Sequence, residues 1–197
     1  DLISLISDSS PAPGGGSVSA IAGSLGAALV SMVAALTHEK KDFIRSRKKM
    51  NEIGVKAQDL KDRLIYLGEE DTEAFNAILA ANRLSDKTPE QKKFKEKRAF
   101  EANKYAIEIP LETAKLSLEV IKLSLDLIKH GNPNSVTDAE VASEVGLAGV
   151  RGGCMNVMIN LSGLDKFNNY APDIHNKIDS LINEANNLHK KAFDNTK

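Results

Sequence analysis

Four groups of residues carry side chains or backbone whose type and spacing could do chemistry. The first is Asp71, which falls in the series Leu60, Leu64, Leu67, Asp71, Ala74 and Ile78. That spacing sets one carboxyl on an otherwise apolar helix face, whereas the neighbouring acids Glu70 and Glu73 fall on the opposite, solvated side. Burial raises a carboxyl's pKa towards the range useful for proton transfer. The same position equally suits an interhelical hydrogen bond or ion pair.

The second group is Pro11-Ala12-Pro13-Gly14-Gly15-Gly16-Ser17. Three glycines ahead of a helix can offer successive N–H groups to a phosphate or carboxylate, reinforced by the positive end of the helix dipole. Ser17 then caps the helix or bonds the ligand. The plainer reading is a tight turn into the helix. Without a Gly-Lys-Ser or Gly-Lys-Thr ending the loop is not a nucleotide P-loop.

The third group lies between Gly131 and Leu161. Asp138, Ala142, Val145, Gly149, Gly153, Asn156 and Asn160 share one side of a helical wheel. Asn156 and Asn160, four residues apart, project amides from one surface as ligand contacts or as satisfied structural groups. Asp138 is an acid for catalysis or a first-turn carboxylate favoured by the dipole. It sits about 27 Å along the axis from Asn156, so one small group could not meet both; a long ligand or a second subunit could. The fourth group, Lys40-Lys41 with Arg45 and Arg47, is a solvated helix end or a grip for an anionic tail. Histidines 38, 130, 175 and 189 have no zinc-binding spacing, so no metal is expected.

The elements that must position these groups are all helical. A short helix spans Leu2 to Ile6. A second runs from about Ser17 to Lys40, with Ile21, Leu25, Ala28, Met32 and Ala35 at helical steps. A third spans about Lys48 to Ala81. Thr88-Pro89-Glu90-Gln91 forms a capping box that opens a fourth, which reaches Lys129 with a kink expected at Pro110. Gly131-Asn132-Pro133-Asn134 is a turn. A second capping box, Thr137 to Glu140, opens a fifth helix ending near Leu161. A last amphipathic helix, near Pro172 to Phe193, carries Ile174, Ile178, Leu181, Ala185 and Leu188, and its polar tail frays. The sequence thus predicts an all-α, single-domain bundle of about six helices over residues 1–197.

Composition agrees. A hydrophobic fraction of 42% and a charged fraction of 27% are ordinary for a globular chain. A net charge of -1 leaves no footprint for nucleic acid or an anionic membrane. Cys154, the single cysteine, forms no internal disulfide and suits a reducing, cytoplasmic setting. The uncharged run between Asp8 and His38 is long enough to span a bilayer, but Gly, Ser and Ala dominate it and no basic segment precedes it. A buried bundle helix is expected there instead of a membrane span or signal peptide.

Taken in order, several blocks resemble the cyclodeaminase/cyclohydrolase family: the C-terminal half of formiminotransferase-cyclodeaminase and its stand-alone bacterial relatives, the methenyltetrahydrofolate cyclohydrolases. These blocks are Pro11-x-Pro13-Gly14-Gly15-Gly16-Ser17 with Met32-Val33-Ala34-Ala35-Leu36-Thr37, then Asp71-x-x-Ala74-Phe75, then Gly131-Asn132 leading to Asp138, and Gly152 through Asn156-Val157-x-Ile159-Asn160-Leu161. They span essentially the whole chain.

The resemblance implies an all-helical homodimer acting on a tetrahydrofolate, with one or more glutamates, and using no metal or redox cofactor. Its first implied activity is conversion of 5-formimino-tetrahydrofolate to 5,10-methenyl-tetrahydrofolate and ammonia. Methenyltetrahydrofolate cyclohydrolase is the alternative, and a non-catalytic folate- or anion-binding bundle is the alternative of another class. Under it, Asp71 is the first choice for acid/base work and Asp138 the second. Asn132, Asn156 and Asn160 hold polar edges of the pterin, while Gly14, Gly15, Gly16, Ser17, Lys40 and Lys41 face the glutamate carboxylates.

Overall fold

The computed structural model of the chain describes residues 2–167 and 171–194. Six α-helices and no strand are found among them: α1 (Leu2–Ile6), α2 (Gly15–Glu39), α3 (Arg47–Asn82), α4 (Pro89–His130), α5 (Val136–Leu161) and α6 (Ala171–Asp194). Short 3-10 turns at Lys41–Ser46, Pro133–Ser135 and Ser162–Phe167 join them. The expected fraying tail, residues 195–197, lies outside the described residues.

Helix boundaries follow local chemistry. The capping box of α4 forms as expected: Gln91 N–H donates to Thr88 Oγ1 at 3.2 Å, and Thr88 N–H donates to Gln91 Oε1 at 3.3 Å. The expected capping box at Thr137 to Glu140 does not form. Asn132 Oδ1 accepts from Asn134 N–H and its carbonyl accepts from Ser135 N–H. That turn feeds the chain into α5 at Val136, with no side-chain cap. α4 continues as one helix through Pro110.

α4 runs through the centre and belongs to both halves of the core. On one side α2, α3 and the start of α5 bury Val30, Val33, Met50, Leu64, Leu67 and Val120 with it. On the other, α5 and α6 bury Val150, Val157, Ile174 and Ile178 against Ile107, Leu118 and Ile121. α6 is fastened further by His189, whose Nδ1 lies 3.1 Å from Ser143 Oγ and whose Nε2 lies 3.5 Å from Glu144 Oε1. The apolar stripes expected of α3 and α6 are the faces that pack.

α2 corrects the expectation of a helix buried all round. Its inner face is made of small residues: Gly16, Ser17, Ala20, Gly23, Ser24 and Ala27 are buried. Val30 and Val33 join it nearer the C-terminal end, but four other large apolar residues point outwards, with Val18 42%, Leu25 56%, Met32 40% and Leu36 42% exposed. By length and apolarity α2 could cross a membrane, yet half of its most apolar stretch is buried inside the bundle. The reason is close approach. A Cβ added at Gly23 or Gly149 would strike Ser117 Oγ, and one at Gly153 would lie 2.7 Å from the Pro110 carbonyl oxygen. Only side chains of one carbon or none let α2, α4 and α5 meet this tightly.

Because the obstacle at Gly153 is backbone, Gly153→Ala is expected to lower unfolding stability by about 1–3 kcal/mol. Ser117 Oγ, by contrast, is buried without a hydrogen-bond partner, so Ser117→Ala should be within about 1 kcal/mol of wild type or more stable. Urea unfolding of the two variants checks both; equal losses would show that this contact does not set helix spacing.

Candidate active site

The loop 11–14, whose Ala12–Pro13 peptide is cis, delivers the chain into α2 with Gly14 as an extended N-cap. The first intrahelical bond is Val18 N–H to Gly14 O at 3.0 Å, so the N–H groups of the first turn are left for other acceptors. One acceptor comes from α3. Asp71 places its carboxyl directly over Gly16, where a Cβ would collide with both carboxyl oxygens. The Ser17 backbone favours the charged form of that carboxyl. The Ser17 hydroxyl, buried and three residues into α2, divides its single proton between Gly68 O at 2.9 Å and Asp71 Oδ2 at 3.2 Å.

Ser17 therefore neither caps α2 nor stands free for a ligand; it binds α3. The anion at the end of α2 is the protein's own Asp71, favoured there by the helix dipole. Burial pushes the Asp71 pKa above its ordinary value, while the side-chain and backbone bonds from Ser17 pull against that shift by stabilising the charged form. No cation contributes to the balance. The result is a half-buried carboxyl of heightened basicity.

Asn156 and Asn160 of α5 reach the same place. The Asn156 amide stands against Gly15, at 3.5 Å from where its Cβ would be, and its Nδ2 donates to Gly152 O at 2.8 Å. Asn160 Nδ2 donates across to Ala106 O of α4 at 2.7 Å. Together with the loop 11–16 and the apolar wall of Ala74, Phe75 and Ile78, these groups enclose a cleft of about 110 Å³. Phe75 and Ile78 follow Asp71 at steps of four and three, so their helical spacing could have marked them as its apolar lining. The cleft is small beside pockets that hold whole drug-sized ligands, about 300–1,000 Å³. It can seat only the reacting end of a long substrate.

The other expected residues gather elsewhere. Lys40 Nζ donates to Asn132 Oδ1 at 3.0 Å, and Asn132 N–H donates to Thr37 Oγ1 at 2.9 Å. Asn132 is 5% exposed and ties the turn before α5 to the end of α2. Lys41 is exposed and Asp138 half-buried in the first turn of α5. This cluster is about 37 Å from the glycine loop along α2. One chain does not bring Lys40, Lys41, Asn132 or Asp138 to Asp71.

The expectation that Glu70 is a solvated acid is also corrected. Its side chain is 15% exposed and pairs with Arg63 Nη1 at 2.8 Å, while Arg63 also makes a two-pronged bond to Glu112 of α4 at 2.8 and 2.9 Å. These carboxylates raise the Arg63 pKa, Glu112 most strongly. The serine–histidine–carboxylate array at Ser143, His189 and Glu144 offers no second centre, because Ser143 is fully buried.

Known proteins match this chain over most of its length. A family model described as formiminotransferase-cyclodeaminase matches residues 1–180. A methenyltetrahydrofolate cyclohydrolase of Methylorubrum extorquens is 34% identical over 98% of this chain and 92% of its own. The formimidoyltransferase-cyclodeaminase of Mus musculus is 32% identical over 89% of this chain, which spans only 32% of that longer protein. A solved structure of formiminotetrahydrofolate cyclodeaminase from Thermotoga maritima shares the fold, with a TM-score of 0.87 at 22% identity over 98% of this chain and 92% of that one. With its glycine loop, carboxyl and paired asparagines in the matched region, the chain belongs to the formiminotransferase-cyclodeaminase family.

Proposed function

We propose that this chain is an enzyme of folate one-carbon chemistry, and that it opens the 5,10-methenyl bridge of a tetrahydrofolate with water. The observation that carries the reading is the Asp71 carboxyl: seated on Gly16, held by Ser17, facing a cleft and paired with no cation. Asp71 takes a proton from water as the oxygen attacks the bridging carbon. The resulting tetrahedral carbon expels one ring nitrogen, which receives that proton as the C–N bond breaks. The carbinol O–H releases its own proton to solvent as C=O forms, so the cationic bridge and water yield a neutral N-formyl product and one proton. Proton transfer alone balances this reaction, so it calls for no metal or redox cofactor.

Cyclodeaminase chemistry uses the same parts. N10 attacks the carbon of the protonated 5-formimino group, Asp71 relays the N10 proton to the amino nitrogen, and ammonia leaves as that C–N bond breaks, giving the methenyl cation. The mouse relative's name favours this second reading, which the sequence blocks put first. End-to-end similarity to a stand-alone cyclohydrolase is what moves hydrolysis ahead. The folate's glutamate tail lies outside the cleft, whose size admits only the head, and the setting is the cytoplasm.

The partner in this reading is a second copy. Val18, Leu25, Met32 and Leu36 form one exposed apolar stripe along α2, and a stripe of this kind marks an association surface. In a two-fold dimer whose axis crosses this stripe at right angles, the paired α2 helices run antiparallel. Each chain's Lys40–Lys41 end then lies beside the other's glycine loop, within reach of the tail carboxylates.

Asp71→Asn is expected to lower kcat about 10²- to 10⁴-fold at an unchanged melting temperature, followed by loss of methenyl absorbance. Retention of wild-type kcat across pH would remove Asp71 from the mechanism. Because the working form is the carboxylate and its pKa is raised, activity should fall on acidification at a higher pH than an ordinary carboxylate allows. Ser17→Ala, which removes a bond to the charged form, should move that acidic limb higher still. Ammonia release from the 5-formimino substrate, faster than methenyl hydrolysis, would reverse the order of the two activities.

Leu25→Glu should convert a dimer to monomer in light scattering, with a loss of activity restored by raising protein concentration. A fully active monomer would place the whole site within one chain.

A further inference from the structure

Pro110 lacks an amide N–H, so the Ala106 carbonyl one turn earlier has no helical donor. Asn160, from a different helix, supplies one at 2.7 Å. A carbonyl can only accept, so this contact fixes which way the Asn160 amide is turned: nitrogen to Ala106, oxygen free. Asn156 is oriented by the same logic, its Nδ2 given to Gly152 O at 2.8 Å. Neither Oδ1 accepts a hydrogen bond among the described residues. The two amides stand one helical turn apart and line the same cleft as Asp71.

We propose that Asn156 and Asn160 act as a fixed pair of hydrogen-bond acceptors that select a ligand edge rich in N–H donors, and that Pro110 is the positioning residue that holds Asn160 in this sense. Resting on the folate reading, this assigns the 2-amino and N3–H edge of the pterin to the asparagines. The side chains facing the cleft present two amide and two carboxyl oxygens, beside one further N–H on each amide. The Asp71 carboxylate and the two fixed amide oxygens disfavour the glutamate carboxylates at this end of the site. An Asn amide free to flip could turn its oxygen away from a donor edge; one locked by a backbone carbonyl cannot.

The test compares binding of 5-formyl-tetrahydrofolate with that of its 2-deamino counterpart, measured by calorimetry. Wild type is expected to bind the amino form at least tenfold more tightly, since loss of a donor leaves a site oxygen unpaired. Asn160→Leu should reduce that preference to about twofold or less, with little change for the deamino form. Pro110→Ala returns an N–H to Ala106 and should lower the preference by a smaller factor. Should Pro110→Ala fail to fold, Asn160→Leu carries the test alone. Equal binding of both ligands by wild type overturns the acceptor pair while leaving the folate reading intact. Parallel weakening of both ligands in the variants overturns it too, because that is what a merely structural amide would give. Binding of neither ligand by wild type removes the folate reading and the proposal with it.

Discussion

The contact between Asp71 and the first turn of α2 is the constraint around which this end of the bundle is arranged. A carboxyl can lie over Gly16 only because no Cβ intervenes, and it can stay charged there only because Ser17 and the helix end supply donors. The same contact fixes the relation of α2 to α3, since Ser17 also bonds Gly68 O. It therefore closes the helix start, joins two helices and creates the basic group together. A turn that looked like a cradle for a foreign anion is filled by an internal one, and the remaining space beside it is what a substrate can use.

Much of this was legible in the sequence. Asp71 declared itself because a charge on an apolar stripe has few explanations, and Thr88 with Gln91 declared the start of α4 because that pairing is local. The limits were non-local. The uncharged run of α2 suggested a helix buried all round, and could not say that a face of mostly small residues packs inwards while Val18, Leu25, Met32 and Leu36 stay outside. That choice depends on Ser117 and Ala142, residues of other helices that must approach Gly23 and Gly26. Glu70 likewise looked solvated until Arg63 and Glu112 were seen beside it. The role of Asn160 needed knowledge that Pro110, fifty positions away, leaves a carbonyl unserved.

The distribution of candidate residues follows from the length of α2. Glycine loop, Asp71, Asn156 and Asn160 meet at its first turn; Lys40 and Asn132 meet at its last. Sequence blocks carry no information on separation, so residues that stand together in a motif series fall into two clusters in space. Asn132 in particular spends its amide and backbone on Lys40, Asn134 and Thr37, which makes it a joint of the fold within a single chain.

The placement of cations completes the logic. A lysine or arginine beside Asp71 would secure the buried charge, but it would also depress the pKa and remove the basicity that proton transfer requires. Hydrogen bonds from a serine and a helix end stabilise the charge more gently. The nearby arginine, Arg63, is instead shared between Glu70 and Glu112, and Lys40 is held at the far end of α2. Within a single chain the fold thus keeps its positive charge away from the one acid whose reactivity depends on not having it.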